Sequence, residues 1–357
     1  MASFDFLASL ETGFQRVPEA PCRKGLGLGF EIIDIRRFEA KDFATLLQSE
    51  SQAWYEKLRW DFTSSAQVIN ACLREKGLSG YALVHEGGIR GYCFFFYDGE
   101  KGLIGDLFVH PELAGLAPAR ELLEHVVETL LGTPGLRRVE TQLPHFELED
   151  LEPCFRPHEF QGYLRRFMSV PLANRPRLAA GRGDTAARRL QEASLESFQL
   201  IPWDRRLDEE AAELIYYAYR RHVDATINDQ YASVTGASRL ITNIVHHQGC
   251  GEFLSRISRL AVHRSTQQLA GILSVTRIRP HTAHIPQVAV AESFQGRGVG
   301  SALMEAAFRD LAREGFEEAT LAVTDQNAGA VRLYQRVGFQ TFKTFGAFVF
   351  SRQGGPG

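Results

Sequence analysis

Val288-Ala-Val-Ala-Glu-Ser-Phe-Gln-Gly-Arg-Gly-Val-Gly-Ser-Ala-Leu-Met304 runs from an apolar strand through a glycine-rich turn into a helix. Within it, Gln295-Gly-Arg-Gly-Val-Gly300 removes the side chains of Gly296, Gly298 and Gly300. That leaves backbone N–H donors open to close approach. The helix beginning near Gly300-Ser301 adds the partial positive charge of its N-terminus. Such a turn suits a pyrophosphate. No Lys-Ser/Thr follows, as a Walker loop would need. The strand also lies late in its domain, with no opening βαβ unit of a dinucleotide fingerprint.

Outward from the turn, the pattern predicts an α/β domain with a mixed sheet. Leu260–His263, Gln268–Ile278 and Ala283–Val290 read as strands before it. After it, Leu303, Ala306, Ala307 and Leu311 recur at helical spacing within Ser301–Gly315. A strand over Ala319–Val323, a helix over Ala328–Val337 closed by Gly338, and strand structure over Gln340–Phe350 complete the domain.

The chain also repeats itself. Phe30-Glu-Ile-Ile-Asp-Ile-Arg-Arg matches Phe198-Gln-Leu-Ile-Pro-Trp-Asp-Arg without gaps, and each is followed by a helical stretch, Lys41–Trp54 or Asp208–His222. Leu107-Phe-Val-His-Pro-Glu-Leu matches Val288-Ala-Val-Ala-Glu-Ser-Phe, and Phe155-Arg-Pro-His-Glu-Phe-Gln matches Tyr334-Gln-Arg-Val-Gly-Phe-Gln. Three matches in one order predict two copies of one unit. The expected division is 1–171, a Pro- and Gly-bearing linker over 172–195 with a short helix through Ala186–Ala193, and 196–357.

Val288–Leu303 resembles motif A of the GCN5-related N-acetyltransferases (GNAT), with Gln295-x-x-Gly298-x-Gly300 as its signature. Asn327-Ala-Gly-Ala-Val-Arg-Leu-Tyr334-Gln-Arg-Val-Gly338-Phe339 resembles the motif B of that family. The resemblance is strong over Phe198–Phe350 and weak over Phe30–Pro171. It implies two GNAT-like domains in tandem, each a mixed, splayed β-sheet flanked by helices. It implies acetyl-CoA as co-substrate, with the backbone of Gln295, Gly296, Arg297, Gly298, Val299, Gly300 and Ser301 around the pyrophosphate. Val288 and Val290 would hold the pantetheine, with the Val290 N–H polarising the thioester carbonyl. Asn327 would bond the pantetheine arm or the local backbone. Tyr334 would protonate the departing thiolate, the other reading being a Tyr packed on the cofactor. Some relatives keep a glutamate base eleven residues before the signature Gln. Here that position is His284, either a base or a surface or core histidine.

By the same match the first copy departs from the pattern. Ala114, Ala117, Pro118 and Ala119 replace Gln295, Gly298, Val299 and Gly300, and proline offers no N–H. Phe155 replaces Tyr334 and Leu103 replaces His284. The first copy is therefore expected to keep the fold without the cofactor.

The acceptor side is expected on His222–Tyr231, where a continuous helix would put Asp224, Asn228 and Tyr231 on one face. That face would suit an ammonium or hydroxyl-bearing substrate, or be a solvated face. His246, His247 and Cys250 lack the further ligands of a metal site, so no metal is expected. The net charge of -3 offers no basic field for a nucleic acid. The run Tyr92–Tyr97 is too short to span a membrane. Asp5 and Glu11, with no basic stretch, argue against a signal peptide, and five cysteines without close pairs read as reduced thiols in a cytoplasmic protein. The expected activity is acetyl transfer to a primary amine of a small molecule or a protein, by a monomer or homodimer. The alternatives are an acyl-CoA-binding regulator without turnover, or transfer of a different acyl group.

Overall fold

The computed structural model describes residues 23–24, 29–113, 115–173, 196–247 and 250–352, and the structural statements below concern these. The expected helix over 186–193, Ala114 and Cys22 lie outside them. The chain forms two units, one of residues 1–164 and 344–357 and the other of Arg165–Lys343.

In the first unit, β1 (Arg23–Lys24), β2 (Phe30–Asp34), β3 (Ser79–His85), β4 (Gly88–Asp98) and β5 (Lys101–Val109) form an antiparallel series. β5 then runs parallel to β6 (Arg138–Leu143), but only over Lys101–Ile104. Beyond Ile104 it stays with β4 and leaves β6. Helices α1 (Ala44–Lys57), α2 (Thr63–Arg74), α3 (Ala117–Leu131) and α4 (Leu148–Phe155) flank the sheet. The α3 face carrying Leu122, Leu123, Val126, Val127 and Leu130 packs with Phe95, Ile104 and Val139 of the strands. Burial of this kind stabilises by roughly 1.5–3 kcal/mol per large apolar side chain.

The second unit repeats the plan. Its strands include β8 (Phe198–Pro202), β9 (Glu252–Phe253), β10 (Arg259–His263), β11 (Leu269–Leu273), β12 (Thr276–Arg279), β13 (Thr282–His284), β14 (Val288–Val290) and β15 (Glu318–Thr324). Helices α5 (Asp208–Tyr219), α6 (Val223–Ile227), α7 (Val234–Val245), α8 (Val299–Arg313) and α9 (Ala328–Arg336) accompany them.

Two strands expected to be continuous are each divided. Gln268–Ile278 becomes β11 and β12, and Ala283–Val290 becomes β13 and β14. The division falls where Pro286 can give no ladder N–H and where Ser274 Oγ takes the Gln287 N–H at 3.1 Å. β12 and β13 stay in the sheet of β15, whereas β11 and β14 join β10 and β8. The parallel pairing of β13 with β15 ends with the Ile285 N–H on the Thr320 carbonyl at 2.8 Å. β14 then diverges from β15, and this opens the splay.

The copies along the chain and the units in space differ by an exchanged strand. β7 (Gln161–Pro171) closes the first copy in sequence, yet its residues from Arg165 onward belong to the second unit, antiparallel to β15 from Arg165↔Thr324 to Pro171↔Glu318. β16 (Gln340–Ser351) closes the second copy, yet from Thr344 it belongs to the first unit, antiparallel to β6. Arg165 and Thr344 are equivalent positions of the repeat, so each copy gives up the same part of its last strand. The sequence division at 171 missed this, because a strand's partners are set by tertiary contact.

Candidate functional site

The turn keeps its glycines for two different reasons. Gly296 and Gly298 adopt φ of 75° and 84°, which side-chain-bearing residues rarely take. Gly300 has no such φ, and a Cβ built there would meet only Leu333 and Val290 at ordinary contact distances of 3.5 and 3.6 Å. Neither backbone geometry nor packing within the protein demands glycine at 300, and the missing side chain leaves the backbone there open to close approach by a ligand. The turn sits at the N-terminus of the fifteen-residue α8, whose N-cap is Gly298. The residues present therefore fit a pyrophosphate held by backbone N–H groups.

Two tyrosines close over the start of β14. Tyr219 donates its hydroxyl to the Val288 carbonyl at 2.8 Å, and Tyr231 donates to Gln287 Oε1 at 2.9 Å. Their rings stack at 4.6 Å. The continuous helix expected through His222–Tyr231 is interrupted. Asn228 takes an extended conformation and caps the following turn through the Gln230 N–H at 3.0 Å. Asp224, Asn228 and Tyr231 therefore share no helix face.

Asp224 instead anchors a buried polar cluster. His222 Nδ1 lies 3.0 Å from Asp224 Oδ2 and 3.2 Å from the Asp224 backbone nitrogen. A neutral ring can accept from that N–H, and a protonated ring can donate to the carboxylate. Thr324 donates its hydroxyl to Asp224 Oδ1. Arg165 Nη1 stands 3.7 Å from the same oxygen. Burial alone would raise the Asp224 carboxyl, but His222, Arg165 and Thr324 together hold it below its ordinary value. Hydrogen bonding to Asp224 outweighs partial burial and lifts His222 above the usual imidazole value.

Tyr334 lies on α9, whose N-cap Asn327 accepts the Ala330 N–H at 3.1 Å. Asn327 thus bonds the local backbone, one of its two expected roles, and it also adds to the hydrogen bonding of His222. Burial, then the Asp224 charge, pushes the Tyr334 phenol above its ordinary value, with Arg165 opposing. The phenol stays protonated at neutral pH, as a proton donor must.

His284 does not suit the role of base. It is wholly buried on β13, its Nδ1 faces Thr320 Oγ1 at 2.9 Å, and burial drives its pKa down to about 3. A sealed imidazole that neutral pH leaves uncharged is a core group of the sheet. A continuous helix over 222–231 hides the N-cap geometry that pairs His222 with Asp224, and Tyr219 gives no local signal because its partner Val288 is distant in sequence. Arg165 carried no signal at all, since it belongs to the other copy in sequence. His246 Nε2 faces Asp208 Oδ2 at 3.2 Å. Among the described residues, no three His, Cys, Asp or Glu side chains group as a metal ion would require, and no helix is long and apolar enough to cross a membrane.

The sequence profile of the acetyltransferase (GNAT) family matches residues 36–147 and 237–339. Curated proteins return no match. Among solved structures, the chain resembles a GCN5-related N-acetyltransferase from Sphaerobacter thermophilus at 17% identity, covering 93% of this chain and 98% of that one with a TM-score of 0.62. A tandem GNAT protein from the clavulanic acid biosynthesis pathway matches at 15% identity, over 92% and 100% of the two chains, with a TM-score of 0.56. The glucosamine N-acetyltransferase region of a fungal multi-domain β-N-acetylglucosaminidase matches at 15% identity, over 93% of this chain and 38% of that one, with a TM-score of 0.59. At these identities the structural likenesses show the fold.

Proposed function

The chain belongs to the GNAT acetyltransferase family, with two GNAT domains in tandem, and on that premise we propose that its second unit transfers an acetyl group from acetyl-CoA to a primary amine by direct attack. The observation that carries the reading is Gly300, a glycine at a helix N-terminus that neither φ nor protein packing requires. The backbone from Gln295 to Ser301 would hold the pyrophosphate, and the backbone of Val288 and Val290 the pantetheine. The Val290 N–H would stabilise the oxyanion of the tetrahedral intermediate.

Tyr334 protonates the leaving thiolate, since burial keeps its phenol in the acid form. His222 takes the proton that the amine must lose, directly or through water. It is partly exposed, and with Nδ1–H donating to the Asp224 carboxylate 3.0 Å away its Nε2 is the nitrogen that would accept the proton. Tyr231 and Asp224 line the acceptor side.

The test is CoA release from acetyl-CoA across an amine library, with wild type and Tyr334→Phe. Turnover that falls sharply in the variant while acetyl-CoA binding persists supports the enzyme. Binding without turnover on any amine would favour an acyl-CoA sensor.

A further inference from the structure

Arg165 carries a buried guanidinium whose hydrogen-bonding capacity the protein does not fill. Its side chain is only 9% exposed, and Nε is buried without a hydrogen-bond partner. The nearest carboxylate oxygen, Asp224 Oδ1 at 3.7 Å, lies beyond hydrogen-bond reach. The Asp224 oxygens are already engaged, Oδ1 by the Thr324 hydroxyl and Oδ2 by His222. A buried donor left unmade carries a desolvation cost that native structures rarely retain without use. The equivalent position in the first unit is Thr344, satisfied by Glu147 Oε2, so the repeat does not require an arginine for folding.

Position gives the unused donors a meaning. Arg165 stands opposite Thr324 in the register of β7 and β15. Its charge reaches the Tyr334 phenol, as does that of Asp224. Asp224 links it to His222, with Arg165 Nη1 3.7 Å from Oδ1 and His222 Nδ1 3.0 Å from Oδ2. The planar guanidinium fork matches a carboxylate bidentately.

Resting on the acetyltransferase reading, we propose that Arg165 binds a carboxylate of the acceptor, so that the substrate class is a small amino acid bearing its amine and carboxylate in one molecule. The amine would face His222 and the carboxylate would complete the Arg165 donors. Specificity then comes from a side chain that the second unit receives on the exchanged strand.

Matched pairs test this in the full chain: lysine and cadaverine, phenylalanine and phenethylamine, histidine and histamine. Acetylation rates and thermal shifts of the CoA-loaded protein are measured for wild type, Arg165→Gln and Arg165→Lys. The expected result is at least one pair whose carboxylate member is preferred by roughly tenfold or more in kcat/KM, the scale of a charge-assisted hydrogen bond. That preference should fall to within about twofold of unity in Arg165→Gln, with Arg165→Lys between, as a bidentate pair predicts. Acetyl-CoA affinity, measured in the same variants, reports that the fold is intact. Equal or better use of the decarboxylated amines by wild type, a preference that survives Arg165→Gln, or no response to any carboxylate member would overturn the assignment while leaving acetyl transfer standing. Failure of wild type to bind acetyl-CoA would instead remove the reading on which it rests.

Discussion

The two units start from the same divergence of two parallel strands and fill it differently. In the first, Phe108 of β5 and Trp54 of α1 both pack on the His145 ring, at 5.4 and 5.1 Å, so aromatic side chains bridge the diverging strands. In the second, the equivalent of Phe108 is Ala289. Where the second unit has Tyr334, the first has Phe155, stacked on Phe348 at 4.1 Å. Where the second begins α8 at glycines, the first begins α3 at Ala117-Pro118. Opposite Gln287 the first unit carries Asp106, whose carboxyl shares a buried site with Glu50. One unit has put aromatic packing where the other carries Ala289, and a fold that tolerates both shows that the splay belongs to the sheet and not to the side chains that line it.

The largest effect should come from the acid. Tyr334→Phe is expected to lower kcat by roughly 10²- to 10⁴-fold with little change in acetyl-CoA affinity, read by steady-state kinetics and calorimetry. The reciprocal change, Phe155→Tyr, should give the first unit no activity. It should destabilise that unit by about 1–3 kcal/mol, because a hydroxyl would enter an aromatic stack without a partner; thermal unfolding checks this.

Gly300→Glu sharpens the contrast at the turn. Its Cβ has room, so the fold should survive while a carboxylate faces the phosphates. Acetyl-CoA affinity should fall on the order of 100-fold, as measured by calorimetry.

A smaller effect is expected on the pH profile. His222 must be neutral to act, and its pKa is raised by Asp224. Activity should therefore rise with pH through a limb above about 6.5, the unperturbed value. Asp224→Asn should move that limb to lower pH, and His222→Gln should erase it with a roughly 10- to 100-fold loss of rate. A limb unmoved by either change would exclude His222 as base.

The smallest effect concerns stability. Burial, and then the charge of Asp106, raises Glu50 well above its ordinary value, and burial raises Asp106 to about 6. Tyr92 and Trp54 donate to the Glu50 carboxylate. Groups that bind protons more tightly when folded stabilise below their unfolded pKa of about 4, and lose that contribution as pH climbs through the folded value. The first unit should thus lose on the order of 1–3 kcal/mol between pH 4 and 7. Glu50→Gln should flatten that slope in denaturant titrations across pH.

Much of this is legible in the chain's local chemistry. Glycines at 296, 298 and 300 and the helix spacing after them are local, so the turn and its helix stand where the sequence puts them. Both repeat-opening strands, Phe30–Asp34 and Phe198–Pro202, stand where the match puts them, and each leads into a short 3-10 turn capped by an aspartate, Asp34 or Asp204, although the gapless match does not align those two residues. What failed was set by partners distant in sequence. Gln268–Ile278 and Ala283–Val290 read as whole strands because alternation cannot show that the two halves of each join different sheets. His284 fits a position along the chain, but Thr320 and the buried sheet around it remove it from solvent. Arg165 enters the site only through strand exchange.

The central claim is that only the second unit holds acetyl-CoA, and the stoichiometry of binding tests it most directly. Calorimetric titration of acetyl-CoA into the full chain should give one site per chain, lost or severely weakened in Gly300→Glu. Two sites, or a single site indifferent to Gly300→Glu, would contradict the account, because the first unit would then bind the cofactor that its Ala117-Pro118-Ala119 turn is argued to have lost.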